Sequence, residues 1–205
     1  ADIMRQSYLG NYVVRTIPNG IDLNVFKPTE SRFKEKNGLI GKKVILGVAN
    51  TWNTRKGLND FIRLSEMLDE SYKVVLIGLT KEQLSNIPEN IMGIERTNST
   101  HELAEIFSVA YVFVNPTYED NFPTVNIEAL ACATPVITYK TGGSPEAIDS
   151  TCGLVIDVGC VDKLYAAICN LPSFNSEDIL KRASLFKRTE KYKGYLEIYK
   201  EMLQV

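Results

Sequence analysis

The chain has 205 residues, enough to bury a substantial core as one domain, and its 44% hydrophobic and 23% charged residues are those of an ordinary folded globular protein. With 23 Lys and Arg against 25 Asp and Glu, the formal net charge is −2, so no global basic field is available to hold nucleic acid and any anion site has to be built locally. No apolar run approaches the ~20 residues that a membrane span needs, no signal-peptide pattern is present, and Cys132, Cys152, Cys160 and Cys169 form no CxxC pair and have no histidines at ligand spacing, which suits structural thiols in a reducing compartment.

In chain order, residues 1–16 open on Ala1 and read as a residual linker ahead of a single domain at 17–205, with strand character over 12–17. Short apolar runs at 43–49, 73–77, 91–95, 111–114, 135–138 and 154–156 are the next predicted strands. Several are apolar throughout (KVILGVA, KVVLIGL, YVFVNP), the mark of strands buried on both faces of a parallel sheet. Amphipathic stretches alternate with them: 58–68 carries apolar residues at 58, 61, 62, 64, 67 and 68, and 102–109, 124–132 and 161–170 follow the same habit. The alternation predicts an α/β class, a doubly wound, Rossmann-like parallel sheet with right-handed crossovers. After Pro172 two helices, 176–187 and 190–203, have no following strand and are expected to pack outside the sheet or reach toward another domain.

Ligands of open α/β sheets bind beyond the carboxyl ends of the strands, so the strand-to-helix loops are where chemistry is sought. Loop 50–57 (NTWNTRKG) sets Arg55 and Lys56 before Gly57 at a helix N-terminus, the unfavourable end of the macrodipole for a cation. It is either a solvated charged turn or a phosphate clamp of Arg, Lys and helix N–H groups. Loop 115–128 (NPTYEDNFPTVNIE) puts Pro123 at a helix boundary, which leaves the N–H groups of Thr124, Val125 and Asn126 pointing outward. Asp120 and Glu128 are either acids that stabilise this helix start or parts of the ligand site, Glu128 leaning back toward the N-terminus. Loop 140–147 (KTGGSPEA) offers Gly142 and Gly143 for close backbone approach to a ligand, or simply a tight turn. The combination favours a phosphorylated small ligand, and no GxGxxG follows a strand as a dinucleotide site requires.

Four segments in series carry a resemblance: Ile17, Pro18, Asn19, Gly20, Ile21 and Asp22; Arg55, Lys56 and Gly57; Glu119 to Pro123 running into Glu128, Ala129, Leu130, Ala131 and Cys132; and Pro135, Val136 and Ile137 with Thr141 to Glu146. In this order they resemble the C-terminal domain of family-4 retaining glycosyltransferases, one half of a GT-B fold. The resemblance implies a donor site for a UDP- or GDP-sugar, with Asp120 and Lys56 as the catalytic groups. Arg55 and Lys56 would neutralise the diphosphate, Glu128 would hold the ribose hydroxyls, and the main chain around Phe122, Pro123, Thr124 and Val125 would meet sugar and phosphates. It implies no metal and no cofactor beyond the donor itself, and a loop at 96–100 bordering the base, beside a surface His101. It also implies an acceptor bound by a preceding N-terminal domain, so that this chain alone turns over little, with the terminal helices packing back toward that domain. The location implied is cytoplasmic, the inner face of a membrane being the alternative for the full-length protein. A sugar-nucleotide epimerase of the same fold and a non-catalytic nucleotide-sugar module are the competing readings. The chain departs from the pattern in three places. Asp120 stands where the first acid of an E-x7-E motif belongs, with Glu119 one residue early; Val48 and Ala49 follow Gly47 in place of an Arg; and Ala133 replaces a glycine, a change expected to be tolerated because it adds only a methyl group.

Overall fold

The computed structural model of the protein describes residues 2–203; Ala1, Gln204 and Val205, at the outer ends of the predicted 1–16 linker and 17–205 domain, lie outside the described residues. Six parallel strands form one sheet: β1 (Lys43–Val48), β2 (Tyr72–Ile77), β3 (Ile91–Ile94), β4 (Val112–Asn115), β5 (Val136–Tyr139) and β6 (Gly153–Ile156). Their spatial order is β3-β2-β1-β4-β5-β6. This is the doubly wound order, and it reverses direction between β1 and β4, where such sheets open a crevice.

The helices are α1 (Asp2–Arg5), α2 (Phe33–Lys36), α3 (Leu58–Met67), α4 (Lys81–Asn86), α5 (Thr100–Val109), α6 (Thr124–Ala131), α7 (Val161–Cys169), α8 (Ser176–Ser184) and α9 (Arg188–Leu203). Two apolar layers sandwich the sheet. On one face Phe107, Ile127, Leu130 and Ile179 pack against Leu46, Val75, Phe113 and Val136. On the other, Phe61, Leu64, Leu164 and Ile168 meet Ile45, Val74, Leu76 and Ile137. Strands covered on both sides are mostly apolar, and β4 and β5 are buried from end to end, polar Asn115 and Thr138 included.

Two expectations need correction. Residues 12–17 are not a strand: Tyr12 and Val13 are 71% and 85% exposed, and the segment runs along α9, with Arg15 paired to Glu201 and Ile17 against Gly194. The sheet edges belong to β3 and β6, and this segment lies against α9 rather than along either of them. Second, a helix, α4, fills the β2–β3 crossover. It starts on a capping box in which the Thr80 hydroxyl accepts from the Gln83 amide and the Gln83 side chain accepts from the Thr80 amide.

The helices after Pro172 behave differently from one another. α8 buries Ile179 and Ala183 against the α6 side of the core. α9 buries nothing and leaves Tyr192, Tyr195, Leu196, Tyr199 and Met202 exposed. Ala133 closes α6 in the left-handed region at φ 61°. The methyl group there is therefore not neutral: a non-glycine residue in that conformation carries about 1 kcal/mol of strain. Cys132 and Cys152 are buried core thiols, raised to about 12 and about 11 by burial, whereas Cys160 and Cys169 are half-buried; all four are free.

Candidate functional site

The loops after β1 and β4 face each other at the reversal point. Loop 50–57 tightens into one 3-10 turn, Thr54–Lys56, capped by the Asn53 side chain on the Lys56 amide at 3.0 Å. Gly57 then turns the chain at φ 78° into α3, and a Cβ there would fall 2.3 Å from the Pro116 carbonyl oxygen. Glycine at 57 thus lets the two loops touch backbone to backbone. The contact continues as the Tyr118 amide and the Thr117 hydroxyl donate to the Arg55 carbonyl at 2.8 Å and 3.2 Å.

Between these loops lies a depression of about 460 Å³, lined by Asn19, Val48, Ala49, Asn50, Thr51, Asn53, Arg55, Lys56, Asn115, Asp120, Phe122, Pro123, Thr124 and Val125. Seven of the eight predicted site residues are among them. The eighth, Glu128, is not. It is half-buried one turn behind, within hydrogen-bonding reach of the Thr124 hydroxyl, so it leans toward the depression without lining it. Burial pushes its carboxyl up from an ordinary 4.5 to about 7, the Thr124 hydrogen bond opposing that rise.

Of the two adjacent acids, only Asp120 faces the depression. Asp120 Oδ2 pairs with Lys56 Nζ at 2.6 Å, and Asp120 Oδ1 accepts from the Phe122 amide at 3.2 Å. Glu119 is exposed and outside the depression. The reading of Asp120 and Glu128 as first-turn acids fails, because the first turn of α6 holds no acid. Arg55 is exposed at the rim, and its guanidinium has no hydrogen-bond or ion-pair partner among the described residues. With Lys56 matched by Asp120, one cation is left uncompensated.

The N-terminus of α6 adds positive potential. Its N-cap, Pro123, provides no side-chain hydrogen bond. Fewer amides are open than the sequence suggests, since the Phe122 amide is taken by Asp120 and the Asn126 amide by the Pro123 carbonyl. Proline has no amide proton, so the first-turn donors left for a ligand are those of Thr124 and Val125.

The diglycine packs against the neighbouring loop. Gly142, at φ 48°, would place a Cβ 1.9 Å from the Asp120 carbonyl oxygen, and Gly143 would place one 2.0 Å from that of Asn121. The third loop therefore braces the second, sealed by the Gly143 amide on the Asp120 carbonyl at 3.2 Å. Two side chains with no role in the sequence reading add to the brace: buried Asn115 Nδ2 donates to Asn126 Oδ1 at 2.8 Å, and Asn126 Nδ2 donates to the Ser144 carbonyl at 3.2 Å. Asn115 was legible as the one polar residue ending an apolar strand. His101 is exposed and paired with Glu105. A depression of similar size, about 430 Å³, opens at the amino ends of the strands around Leu39, Lys42, Asp69 and Tyr72. We favour the carboxyl-end depression because doubly wound sheets bind ligands there and because it gathers the unpaired Arg55 guanidinium and the uncapped N-terminus of an eight-residue helix. No group of three or more metal-ligating side chains occurs among the described residues, and no helix among them is long and apolar enough to cross a membrane.

Comparison with known proteins places this geometry. A family model for group 1 glycosyl transferases matches residues 42–173, well over half of the chain. The D-inositol 3-phosphate glycosyltransferase of Corynebacterium jeikeium is 29% identical over 167 residues, covering 70% of this chain and 40% of that protein. Sucrose-phosphate synthase from Thermosynechococcus elongatus superimposes with a TM-score of 0.85 at 21% identity, over 99% of this chain and 56% of that one. Anabaena HepE in complex with UDP-glucose does so with a TM-score of 0.82 at 16% identity, over 97% and 60%. At these identities the two structures establish the fold, a Rossmann-like half of the GT-B type. The chain spans about half the length, or somewhat less, of the curated relatives it matches.

Proposed function

The chain belongs to the group 1 glycosyl transferases, its motifs being those of the family-4 C-terminal domain, and on that footing we propose that the depression between the β1 and β4 loops holds the diphosphate of a UDP- or GDP-sugar. The observation that carries this reading is the meeting of Arg55, Lys56 and the uncapped N-terminus of α6 at the reversal point of the sheet. Two cations and one carboxylate leave a net positive site, and the helix terminus adds the equivalent of about half a charge. That is sufficient to hold a diphosphate and to stabilise the negative charge that develops on it as the glycosidic bond breaks.

In this account Arg55 and Lys56 neutralise the diphosphate without a metal ion, and the Thr124 and Val125 amides complete the clamp. Asp120, held by Lys56, lies beside the donor sugar, and Glu128 receives the ribose hydroxyls. Transfer proceeds with retention to an acceptor carried by a further domain, so this chain alone binds the donor but turns over little. The exposed face of α9 is the surface on which that domain rests. A non-catalytic nucleotide-sugar module is the second reading, favoured by Val48 and Ala49 where the family has Arg.

Calorimetric titration of the chain with UDP and GDP tests the donor site; a saturable heat with one of them is expected, and none with either removes the proposal. Sugar transfer by the full-length protein then separates enzyme from binding module.

A further inference from the structure

The loop that carries Asp120 has an anchor outside the site. Asp60, in the first turn of α3, is 8% exposed and has no cationic partner among the described residues. Its Oδ1 accepts from the Tyr118 hydroxyl at 3.1 Å and its Oδ2 from the Tyr139 hydroxyl at 2.8 Å. The two rings meet edge to face at 5.9 Å. An acid in that position is favoured by the α3 terminus, and two hydroxyl donors supply the hydrogen bonds that a buried carboxylate requires.

The two tyrosines differ in what they hold. Tyr139 is fully buried within β5, so its hydroxyl ties Asp60 to the rigid sheet. Tyr118 is 41% exposed, lies on the loop two residues before Asp120, and donates its amide to the Arg55 carbonyl. Its own carbonyl accepts from the Thr141 hydroxyl at 2.9 Å, so the loops after β1, β4 and β5 all converge on this one residue.

We propose that Asp60, braced by Tyr139, is a positioning residue that fixes the 116–121 loop through the Tyr118 hydroxyl and thereby sets where Arg55 and the Lys56–Asp120 pair stand relative to a bound diphosphate. The part concerning the diphosphate rests on the donor-site reading above; the anchoring of the loop does not.

Tyr118→Phe keeps the ring and removes only the hydroxyl, so the fold survives; Asp60→Asn is the second variant. The test measures amide exchange at Tyr118, Phe122 and Gly143, with Ile45 in β1 as internal reference, and in parallel the affinities for the nucleoside diphosphate that binds and for its monophosphate. Loss of a hydrogen bond to a carboxylate corresponds to about a tenfold change. The loop amides of Tyr118→Phe should exchange about tenfold faster with Ile45 unchanged, and diphosphate affinity should fall more than monophosphate affinity. Asp60→Asn should reproduce the pattern. Unchanged exchange at the loop amides overturns the anchor; faster exchange with the two affinities unaltered or lowered equally overturns its part in placing the diphosphate-facing groups. If the wild-type chain binds no nucleoside diphosphate, the donor-site reading fails, and the exchange rates alone decide the anchor.

Discussion

Glu128→Gln removes a charge from a half-buried position while keeping the volume of the side chain. Burial raises the Glu128 carboxyl from 4.5 to about 7 in the folded chain, so folding takes up a proton between those values. An acid that binds its proton more tightly when folded makes the protein less stable as pH rises through that window. At ~1.4 kcal/mol per pH unit, the displacement amounts to about 3 kcal/mol once pH exceeds 7. Glutamine does not titrate. The variant is therefore expected to gain about 3 kcal/mol on the wild type between pH 5 and pH 8, read as the difference in urea unfolding free energy. Taking the difference cancels every other titrating group. Nucleotide binding should move in the opposite direction: ribose hydroxyls donating to Glu128 favour the charged carboxylate, so wild-type affinity rises across the same window more steeply than the variant's, whose remaining rise is that of the ligand's own terminal phosphate. A stability difference independent of pH, or one that shrinks as pH rises, refutes the buried-carboxyl account.

Gly142→Ala should destabilise the chain by more than about 3 kcal/mol or displace the 116–121 loop, since the new methyl group meets the Asp120 carbonyl in a left-handed turn; chemical denaturation reads the first outcome and loop-amide exchange the second. Ala133→Gly should stabilise by up to about 1 kcal/mol by relieving the left-handed alanine at the end of α6, which raises the denaturation midpoint with the slope unchanged. A lower midpoint shows that glycine's greater unfolded-state entropy outweighs the strain.

The sheet was legible because it is buried on both faces: six of seven predicted strands fall within one or two residues of their observed ends. The exception, 12–17, shows the limit of local pattern, since the segment lies on α9 instead of joining a sheet edge. α4 was missed because KEQLSN has a single apolar residue and so no helical period, although its T-x-x-Q cap was readable. At the site, Arg55, Lys56 and Asp120 were legible as charges at strand ends, but their pairing was not, because it depends on how two loops separated by sixty residues fold together. The diglycine's brace against the neighbouring loop was not legible for the same reason. Its close approach is to the neighbouring loop, a tertiary contact with no trace in local sequence. The Asp60–Tyr118–Tyr139 contact joins three elements and left no motif at all.

The central claim, that Lys56 and its surroundings form a diphosphate clamp, is tested most directly by titrating the wild-type chain and Lys56→Ala with UDP and GDP and with the corresponding nucleosides. Losing one partly buried cation from a charge-assisted contact should weaken diphosphate binding by about tenfold or more, with nucleoside affinity unchanged. Equal losses for diphosphate and nucleoside, or no loss for either, contradict the clamp.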